Sequence, residues 1–294
     1  YLRVFVPSNT YVRTFSNQSS ASLDLRPAVR WADAEGVKRF IAKFSDLASA
    51  RVDRKTSATD VLKALDPLAP EAADTNLRTF TSSLRNTFFY DRTSRTWSVD
   101  HTWQSDRSRS LLLNGFESRS RLFNTVRVRW NPTRQGTADI EAERGRSGNA
   151  SDLLNGRTWS IEQSSLKPRI TWQPNTSMRA MVSFKQTDKR NLEEFGGEQA
   201  TMKDLGCEFR YNTAGKGSIQ FTANLIDIDF DGEANTALGN ELLGGLKAGT
   251  NATWSVAIQR NLSNNLQVDL TYNGRRSEGV PVVHVGGAQV RAFF

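Results

Sequence analysis

The chain has 294 residues, of which 37% are hydrophobic, and it carries a formal net charge of +8 with a pI near 9.8. No run of 18 apolar residues occurs, which excludes a transmembrane helix but not a membrane barrel, because every second residue of a barrel strand can be polar. The single cysteine, Cys207, excludes an internal disulfide framework and a cysteine-based zinc cluster.

Residues 1–78 are predicted to hold the first strands of a sheet and one long loop. The chain opens at Tyr1 without an initiator Met or signal peptide, so we expect the start of the protein to lie upstream. Residues 1–6 and 10–16 look like a hairpin around Pro7-Ser8-Asn9. Two more strands are predicted at 20–31 and at 37–47, the latter with Phe40, Ala42 and Phe44 on one face. Residues 58–66 instead have helical spacing, with Thr59 or Asp60 as N-cap and Pro67 as stop, which predicts a short helix in the long loop.

Residues 79–294 predict eleven further strands that are joined alternately by short turns and longer loops. The short turns are Asp91 to Arg95, Asn131 to Gly136, Gln173 to Ser177, Asn212 to Gly217 and Asn261 to Asn265. The longer loops are about 107–116, 146–157, 188–200, 231–250 and 275–283. This arrangement is typical of an all-β protein, a transmembrane antiparallel β-barrel with short periplasmic turns and long outer loops. Since single-chain bacterial barrels have even strand numbers, we expect about 15–16 strands or more. In the strands 157–172 and 217–230 the apolar parity changes midway, which bulges would explain.

The polar face of these strands carries charge of one sign per strand, which favours a barrel lumen over the solvated face of a soluble sheet. Pairing around the turn at 131–136 would set arginines of one strand beside carboxylates of the next, and shielding from bulk water strengthens such pairs. The predicted lumen residues are Arg127, Arg129, Asp139, Glu141, Glu143, Lys167, Arg169, Arg179, Lys185, Glu208 and Arg210.

Aromatic residues and the C-terminus supply two further signals. Tyrosines and tryptophans next to the short turns fit the girdle of a membrane boundary; they are Tyr90, Trp97, Trp130, Trp172 and Tyr211. The last strand, 284–294, has Ala288, Val290, Ala292 and Phe294 on one face, like the assembly signal that bacterial barrel-assembly machinery reads. Its free edge would pair with the first strand and close the barrel.

No constellation of catalytic residues is found, and we expect neither enzyme activity nor a cofactor. His101 falls on the apolar register of its strand, and His284 begins the last strand far from it in sequence. The acidic residues Asp227, Asp229 and Asp231 are a weak metal candidate that lacks the spacing of an EF-hand loop; we expect them at a polar, lumen-facing barrel rim.

The basic charge is spread over many strands and interleaved with acidic ones, so nucleic-acid binding is not expected. In an outer membrane, arginines near the outer loops would meet lipid and the phosphates of lipopolysaccharide. The residues placed for that are Arg107, Arg109, Arg119, Arg144 and Arg146.

Three internal segments and the C-terminus resemble a known family. The segments Leu84–Phe89, Leu113–Arg119 and Tyr272–Arg276, together with His284–Phe294, are similar to the C-terminal barrel of large outer-membrane proteins of Bacteroidetes. A more distant similarity is to the SprA-like barrels of gliding motility and type 9 secretion. The resemblance implies an outer-membrane location and a barrel fold, with large regions upstream, and carries over no functional residue.

Three functions remain open from the sequence. The leading hypothesis is an outer-membrane barrel that acts as a pore, a translocation path or a membrane-anchored scaffold. The second is a filled barrel that binds other envelope proteins through Leu111–Leu113 and Leu242–Leu243 in its outer loops. The third is a soluble β-sandwich, an adhesin or carbohydrate-binding protein, in which the apolar strand faces are buried between two sheets.

Overall fold

The computed structural model of the chain describes residues 14–26, 35–57, 76–113, 115–263 and 265–293. In these residues thirteen strands form one antiparallel sheet, in which each strand pairs only with its neighbours along the chain. The strands are β1 Phe15–Leu25, β2 Phe44–Thr56, β3 Leu77–Tyr90, β4 Trp97–Leu112, β5 Gly115–Trp130, β6 Gly136–Ser151, β7 Trp159–Trp172, β8 Met178–Asn191, β9 Gln199–Thr213, β10 Gly217–Asp231, β11 Gly249–Ser263, β12 Leu266–Arg276 and β13 Val283–Ala292. In the described residues two short α-helices accompany the sheet, α1 Val37–Ala42 before β2 and α2 Ala237–Leu243 between β10 and β11. Neither helix has the length and apolar character needed to cross a membrane.

The predicted short turns are confirmed, because each joins two paired strands at the same edge of the sheet. Side chains in the turns supply the hydrogen bonds that the tight reversal leaves open. Thr133 Oγ1 accepts from the backbone amide of Gly136 at 2.9 Å, and Asn175 Oδ1 accepts from that of Met178 at 2.9 Å. Short polar residues therefore fix the strand order from β3 onward.

The opposite edge differs from the prediction at two places. The segment 107–116 is not a long loop: β4 and β5 continue in register up to the pair Leu112–Gly115, and the connection is tight. Strand β6 likewise extends to Ser151, into the predicted loop 146–157. The extension of β4 alternates Arg and Ser before Leu111 and Leu112, and that of β6 consists of Arg146 and small or polar residues. The Arg, Ser and Gly content is typical of a loop although both backbones pair as strands.

The N-terminal part differs from the prediction in its described residues. The predicted strand 37–47 is wrong over 37–42, which form α1, and the chain enters β2 at Phe44. The end of the predicted strand 10–16 and most of 20–31 lie in a single strand, β1. The segment 1–6, most of 10–16 and the predicted helix 58–66 lie outside the described residues. Thirteen strands are found in the described part, and the expected total of about fifteen to sixteen stays a prediction.

One parity of side chains is kept from strand to strand across the whole sheet, so that the sheet has an apolar face and a polar face. Trp130 pairs with Trp97 on one side and Ala138 on the other, and these residues belong to the apolar face. Arg129 pairs with Ser98 and Asp139, which belong to the polar face. The names apolar face and polar face refer to these two sides below.

The apolar face is the more exposed of the two, which inverts the burial of a water-soluble sheet. On β5, Val128 is 41% and Trp130 57% exposed, whereas the residues before each of them, Arg127 and Arg129, are half-buried. On β6 the contrast is sharper, since Ile140 is 51% and Asp139 only 7% exposed. Because large apolar side chains are normally the most buried and arginines and aspartates the least, the sheet is turned inside out relative to a soluble protein.

Buried hydrophobic residues are few in the described part of the chain, and most of them surround α2. They are Leu77, Ile161, Ala200, Ile228, Leu238, Leu242 and Leu243. No second sheet covers the apolar face in the described residues, so the soluble β-sandwich is wrong. Leu242 and Leu243 are 0% and 3% exposed, so they are not the exposed contact site that the second hypothesis required.

The parity change in β7 and β10 is not caused by bulges, because both strands keep an unbroken register with their neighbours. Trp159 and Ile161 in β7, and Ile228 and Phe230 in β10, are apolar residues on the polar face. Trp159, Ile161 and Phe230 lie where α2 packs, in one cluster with Ala200 and Leu238, and Ile228 is buried at 3% exposure. The parity change therefore marks the place where a helix rests on the charged side of the sheet.

Candidate functional site: a charged face and the helix that rests on it

All eleven residues proposed for the lumen lie on the polar face of β5 to β9. The antiparallel register sets Arg127 opposite Glu141 and Arg129 opposite Asp139. Two of the ion pairs that result cross a strand boundary with two or more hydrogen bonds. Arg169 donates through Nε and Nη2 to both carboxylate oxygens of Asp139 at 2.6 to 3.0 Å, and Arg127 donates through Nε and Nη2 to Glu141 Oε2. Arg210 and Glu208 form a third pair within β9 at 2.6 Å.

Several cations on this face have no carboxylate within ion-pair distance in the described residues. They are Arg129, Lys167, Arg179 and Lys185, of which Arg179 lies directly opposite Arg210 on β9. Like charges in directly opposed positions destabilise a sheet, so packing alone does not explain this arrangement. Arg127, Arg129, Arg169 and Arg179 line a recess of about 450 Å³ at the short-turn end, together with Asp100 and Asp139.

The predicted lumen set left out further carboxylates of the polar face, among them Asp100 and Asp204. Asp100 on β4 lies opposite Arg127, and Asp204 on β9 lies opposite Lys185. Strand parity alone identifies both, because Asp100 alternates with Val99 and His101 and Asp204 precedes Leu205 of the apolar face. Glu143 accepts a hydrogen bond from Gln163 Nε2 at 3.1 Å instead of forming an ion pair.

Helix α2 is folded onto the polar face at the end of the sheet that carries the longer connections. Thr236 caps its N-terminus, with Oγ1 accepting from the amide of Gly239 at 2.9 Å, and Gly244 ends it at a φ of 63°, a left-handed conformation that favours glycine. Its buried side, Leu238, Leu242 and Leu243, packs on the apolar residues of β7, β9 and β10. The caps at Thr236 and Gly244 therefore define the ends of the helix. The apolar residues of β7, β9 and β10 on the polar face hold it against the sheet.

Lys189 of β8 fastens the C-terminal end of α2. Its Nζ donates to the carbonyl oxygens of Glu241 at 2.9 Å and Leu242 at 3.1 Å, where the helix dipole is negative. Burial lowers the pKa of Lys189, and the charge of Glu241 opposes that shift. Arg121 of β5 approaches Glu241 from the opposite side at 4.0 Å. The helix therefore reaches from the β10–β11 connection across the mouth toward β5.

On β5 the apolar face carries a band of apolar residues, interrupted once by Asn124, between two polar borders. On β5 the band runs from Leu122 to Trp130, which at a rise of ~3.3 Å per residue is about 26 Å along the strand. A strand tilted by ~40° would cover about 20 Å of membrane thickness, near the ~25 Å of known outer-membrane barrels. The five aromatic residues expected for the girdle all lie on this face next to the short turns.

Basic residues border the band on the other side. Arg107 and Arg109 lie on the apolar face beyond the band, opposite Ser120 and Ser118 of β5. Arg144 and Arg146 lie on the same face opposite Asn124 and Leu122, at the end of the band itself. Arg119 lies on the polar face, so it does not belong to the set predicted to meet lipopolysaccharide. Arg146 pairs with Glu162 of β7 and thereby lowers the pKa of that carboxyl group.

The acidic residues of β10 are not lumen-facing, which corrects the prediction. Asp227, Asp229 and Asp231 share the parity of Leu225 on the apolar face, beyond the band. Asp227 accepts a hydrogen bond from Thr250 Oγ1 at 3.2 Å. In the described residues, no group of three His, Cys, Asp or Glu side chains lies close enough to hold a metal ion.

The last strand has the amphipathic character predicted, with Ala288, Val290 and Ala292 on the apolar face and Val290 64% exposed. Phe294 lies outside the described residues. Within those residues β13 pairs only with β12 and β1 only with β2, so the expected closing pair between first and last strand is not formed.

Among solved structures, the chain is similar to CdiB from Acinetobacter baumannii, with 10% sequence identity and a TM-score of 0.46. The similarity covers 85% of this chain and 48% of that one, so the chain spans about half the length of that structure. No protein-family model and no curated protein matches the sequence. The resemblance to Bacteroidetes barrels stays a prediction.

Proposed function

We propose that the chain is part of a β-barrel of the bacterial outer membrane that encloses an aqueous passage, with α2 narrowing the mouth on the side of the longer connections. The observation that carries this proposal is the inverted burial of the two faces. The proposal assigns no catalytic role and no cofactor to the chain.

The surroundings of the apolar face follow from its extent. Contiguous apolar patches above about 600 Å² are rare on soluble monomers. Here exposed apolar side chains continue across neighbouring strands from Leu84 on β3 to Val290 on β13. Lipid is the solvent that removes the cost of such a surface.

The surroundings of the polar face follow from its charges. An arginine or lysine that faces lipid at the bilayer midplane costs about 2–4 kcal/mol. Arg127 and Arg129 alternate with the apolar residues of the band at the same depth, so only one orientation of the sheet is favourable. The polar face must adjoin water, and a cylinder of such strands would enclose it.

A scaffold or assembly partner with a filled lumen is the second candidate, and the docked helix α2 is the observation that favours it. Leu242 is fully buried and Lys189 holds the helix end, so one side of the polar face is already covered. The two candidates differ in whether ions cross the barrel.

Arginines beyond the band are proposed to contact anionic lipid. Arg109 lies with its guanidinium 4.3 Å from the ring centroid of Phe116, a position at the border between aromatic and polar surroundings. In the proposed orientation Arg107 and Arg109 would reach lipopolysaccharide phosphates, and other envelope proteins remain proposed partners.

The deciding experiment is fractionation followed by planar-bilayer recording. We expect the protein to require detergent, to migrate faster on gels when unheated, and to conduct ions in discrete steps. Detergent dependence without conductance would favour the filled scaffold. A protein that is freely soluble and monodisperse without detergent would overturn both membrane functions.

A further inference from the structure

Helix α1 lies against the apolar face at the edge of the sheet that carries the short turns. The ring of Phe40 is 5.2 Å from that of Phe44 and 5.2 Å from that of Tyr90, measured between centroids. Phe44 and Tyr90 are paired residues of β2 and β3 that belong to the apolar face. The helix therefore sits outside the sheet, level with the aromatic girdle.

No residue of α1 is buried, although half of its residues are large and apolar. Val37 is 74%, Phe40 52% and Ile41 38% exposed. A helix of six residues is not stable by itself in water, and among the described residues the ring contacts of Phe40 with Phe44 and Tyr90 hold this one against the sheet. Its apolar side chains continue the band of the apolar face, so the same solvent that covers the band would cover them.

Basic side chains surround the recess beside α1. Its volume is about 570 Å³, and among the described residues its lining includes Arg26, Arg39, Lys43 and Arg92 but one carboxylate, Asp91. Asp91 forms an ion pair with Lys43 at 2.5 Å, and the Lys43 Nζ lies 5.8 Å from the ring centroid of Tyr90. Arg26 is paired with Asp24 at 3.1 Å, and the Arg92 guanidinium lies 4.6 Å from the ring centroid of Phe89. No carboxylate of the described residues lies within ion-pair distance of Arg39 or Arg92.

We propose that α1 is an interfacial helix and that the recess beside it binds the phosphodiester of an anionic phospholipid, such as phosphatidylglycerol, in the leaflet next to the short turns. The inference rests on the proposed membrane position of the sheet. Apolar side chains at the level of the girdle would meet acyl chains, and the basic residues beside them would meet the headgroup. A protein partner fits less well, because six residues are far from the ~800 Å² per partner of a specific interface.

Headgroup binding is tested with the delipidated protein in neutral detergent, to which phosphatidylglycerol or phosphatidylcholine is added and counted by native mass spectrometry. We expect phosphatidylglycerol to bind more tightly, and the double variant Arg39→Gln/Arg92→Gln to weaken that binding at least about fivefold. The matched control is Arg134→Gln/Lys216→Gln, which removes two cations from other short turns and should change binding little. Equal binding of the two lipids, or equal loss in both variants, would overturn the headgroup site.

The position of α1 is tested separately by nitroxide labels in vesicles of phosphatidylcholine with phosphatidylglycerol, in a Cys207→Ser background. Labels at Val37→Cys and Val128→Cys should both be accessible to oxygen, and a label at Lys216→Cys to an aqueous nickel chelate. If Val128→Cys is in lipid but Val37→Cys is in water, the interfacial helix is wrong and the membrane sheet stands. If Val128→Cys is in water, the proposed function itself fails.

Discussion

At the scale of single residues, two glycines make room for aromatic rings of the opposing strand. Gly274 lies opposite Trp254 on the apolar face, and a Cβ built on it would come within 2.1 Å of the indole. Gly145 lies opposite Phe123 on the polar face, where a Cβ would come within 2.4 Å of the ring. In both places the ring covers the backbone of the partner strand, which a side chain would prevent.

Replacement of Gly274 by alanine should therefore destabilise the sheet. The added methyl group displaces the Trp254 ring, and such overpacking costs about 1–3 kcal/mol. The measurement is the urea midpoint of unfolding in lipid vesicles, followed by loss of the fast-migrating form on unheated gels.

The control for this substitution is Gly286→Ala, a glycine of β13 on the same face. Its nearest contact for a built Cβ is 4.0 Å away, at the carbonyl oxygen of Thr271, so an alanine fits there. Indistinguishable midpoints for the two variants would contradict the steric role assigned to Gly274.

At the scale of elements, the strands were predictable from the sequence. Their ends beyond the band and the place where α2 packs on them were not. Turn residues such as Asn175 and alternation such as that of 122–130 are local, and both survived in the structure. The strand parts beyond the band were missed because parity carries no information where both faces are polar. The docked helix α2 left a readable signal, the change of parity at Trp159 and Ile161, but this signal becomes a helix contact only once the register is known.

For the candidate site, the sequence predicted which charged residues share the polar face but not which of them form ion pairs. Parity and register identify the charged residues, because Arg127 and Glu141 must face each other once the turn at 131–135 is fixed. Asp139 lies directly opposite both Arg129 on β5 and Arg169 on β7, and it pairs with Arg169. Which of the two arginines forms the ion pair depends on side-chain packing between three strands. Sequence alone does not decide such a competition.

Undocking α2 should widen the proposed passage. Leu242→Asp places a charge in a fully buried position, and a buried charge without a partner costs several kcal/mol, more than the helix contact supplies. We expect a larger single-channel conductance. The control Asn235→Asp adds the same charge at an exposed position of the same connection, and a conductance increase of equal size there would show that charge alone is responsible.

The docking of α2 should also depend on pH through Lys189. Because burial lowers its pKa from the ordinary 10.5, the docked state binds this proton less tightly than the undocked state. Docking therefore gains stability as pH rises through the lowered pKa toward 10.5, and no further gain is expected above it. The charged groups that face Lys189 are Glu241, Lys185 and Arg121.

Single-channel recording between neutral pH and about pH 10 measures this effect as longer dwell times in the narrow state. Lys189→Met should remove that pH dependence, since the titrating group is gone. If the dwell times of Lys189→Met depend on pH as those of the unchanged protein do, the dependence comes from another group, and Lys189 does not control the docking of α2.

At the scale of the whole molecule, the exposed apolar face favours a lipid environment for the sheet. The charges of the polar face would determine which ions cross the proposed passage. Arginines outnumber carboxylates in the recess at the short-turn end, and Arg129 and Arg179 have no ion pair in the part of the chain that the structure describes. The surplus positive charge lies on the route that a permeating ion would take.

We therefore expect a preference for chloride over potassium. A unit charge about 10 Å from the ion contributes ~0.4 kcal/mol in a water-like dielectric, a factor of about two. Because the charge attracts chloride and repels potassium, it changes the ratio of their permeabilities about fourfold. Arg129→Gln/Arg179→Gln should therefore lower that ratio by about sixteenfold, and Asp139→Asn should raise it. Reversal potentials in a salt gradient give the ratios, with Arg134→Gln in a short turn as the control; unchanged ratios in all variants would place these residues away from the ion path.

The neighbour-only order of the thirteen strands has a consequence for how the chain can be divided. No strand is inserted between two others from a distant part of the sequence, so a cut in the turn at 173–177 separates the sheet along one line, between β7 and β8. Each fragment keeps all its other backbone pairings and presents one new edge that only its counterpart matches in register. The two fragments, produced as separate polypeptides, should recombine into one barrel segment. The strand pairing between β7 and β8 would then form without the covalent connection that the turn provides.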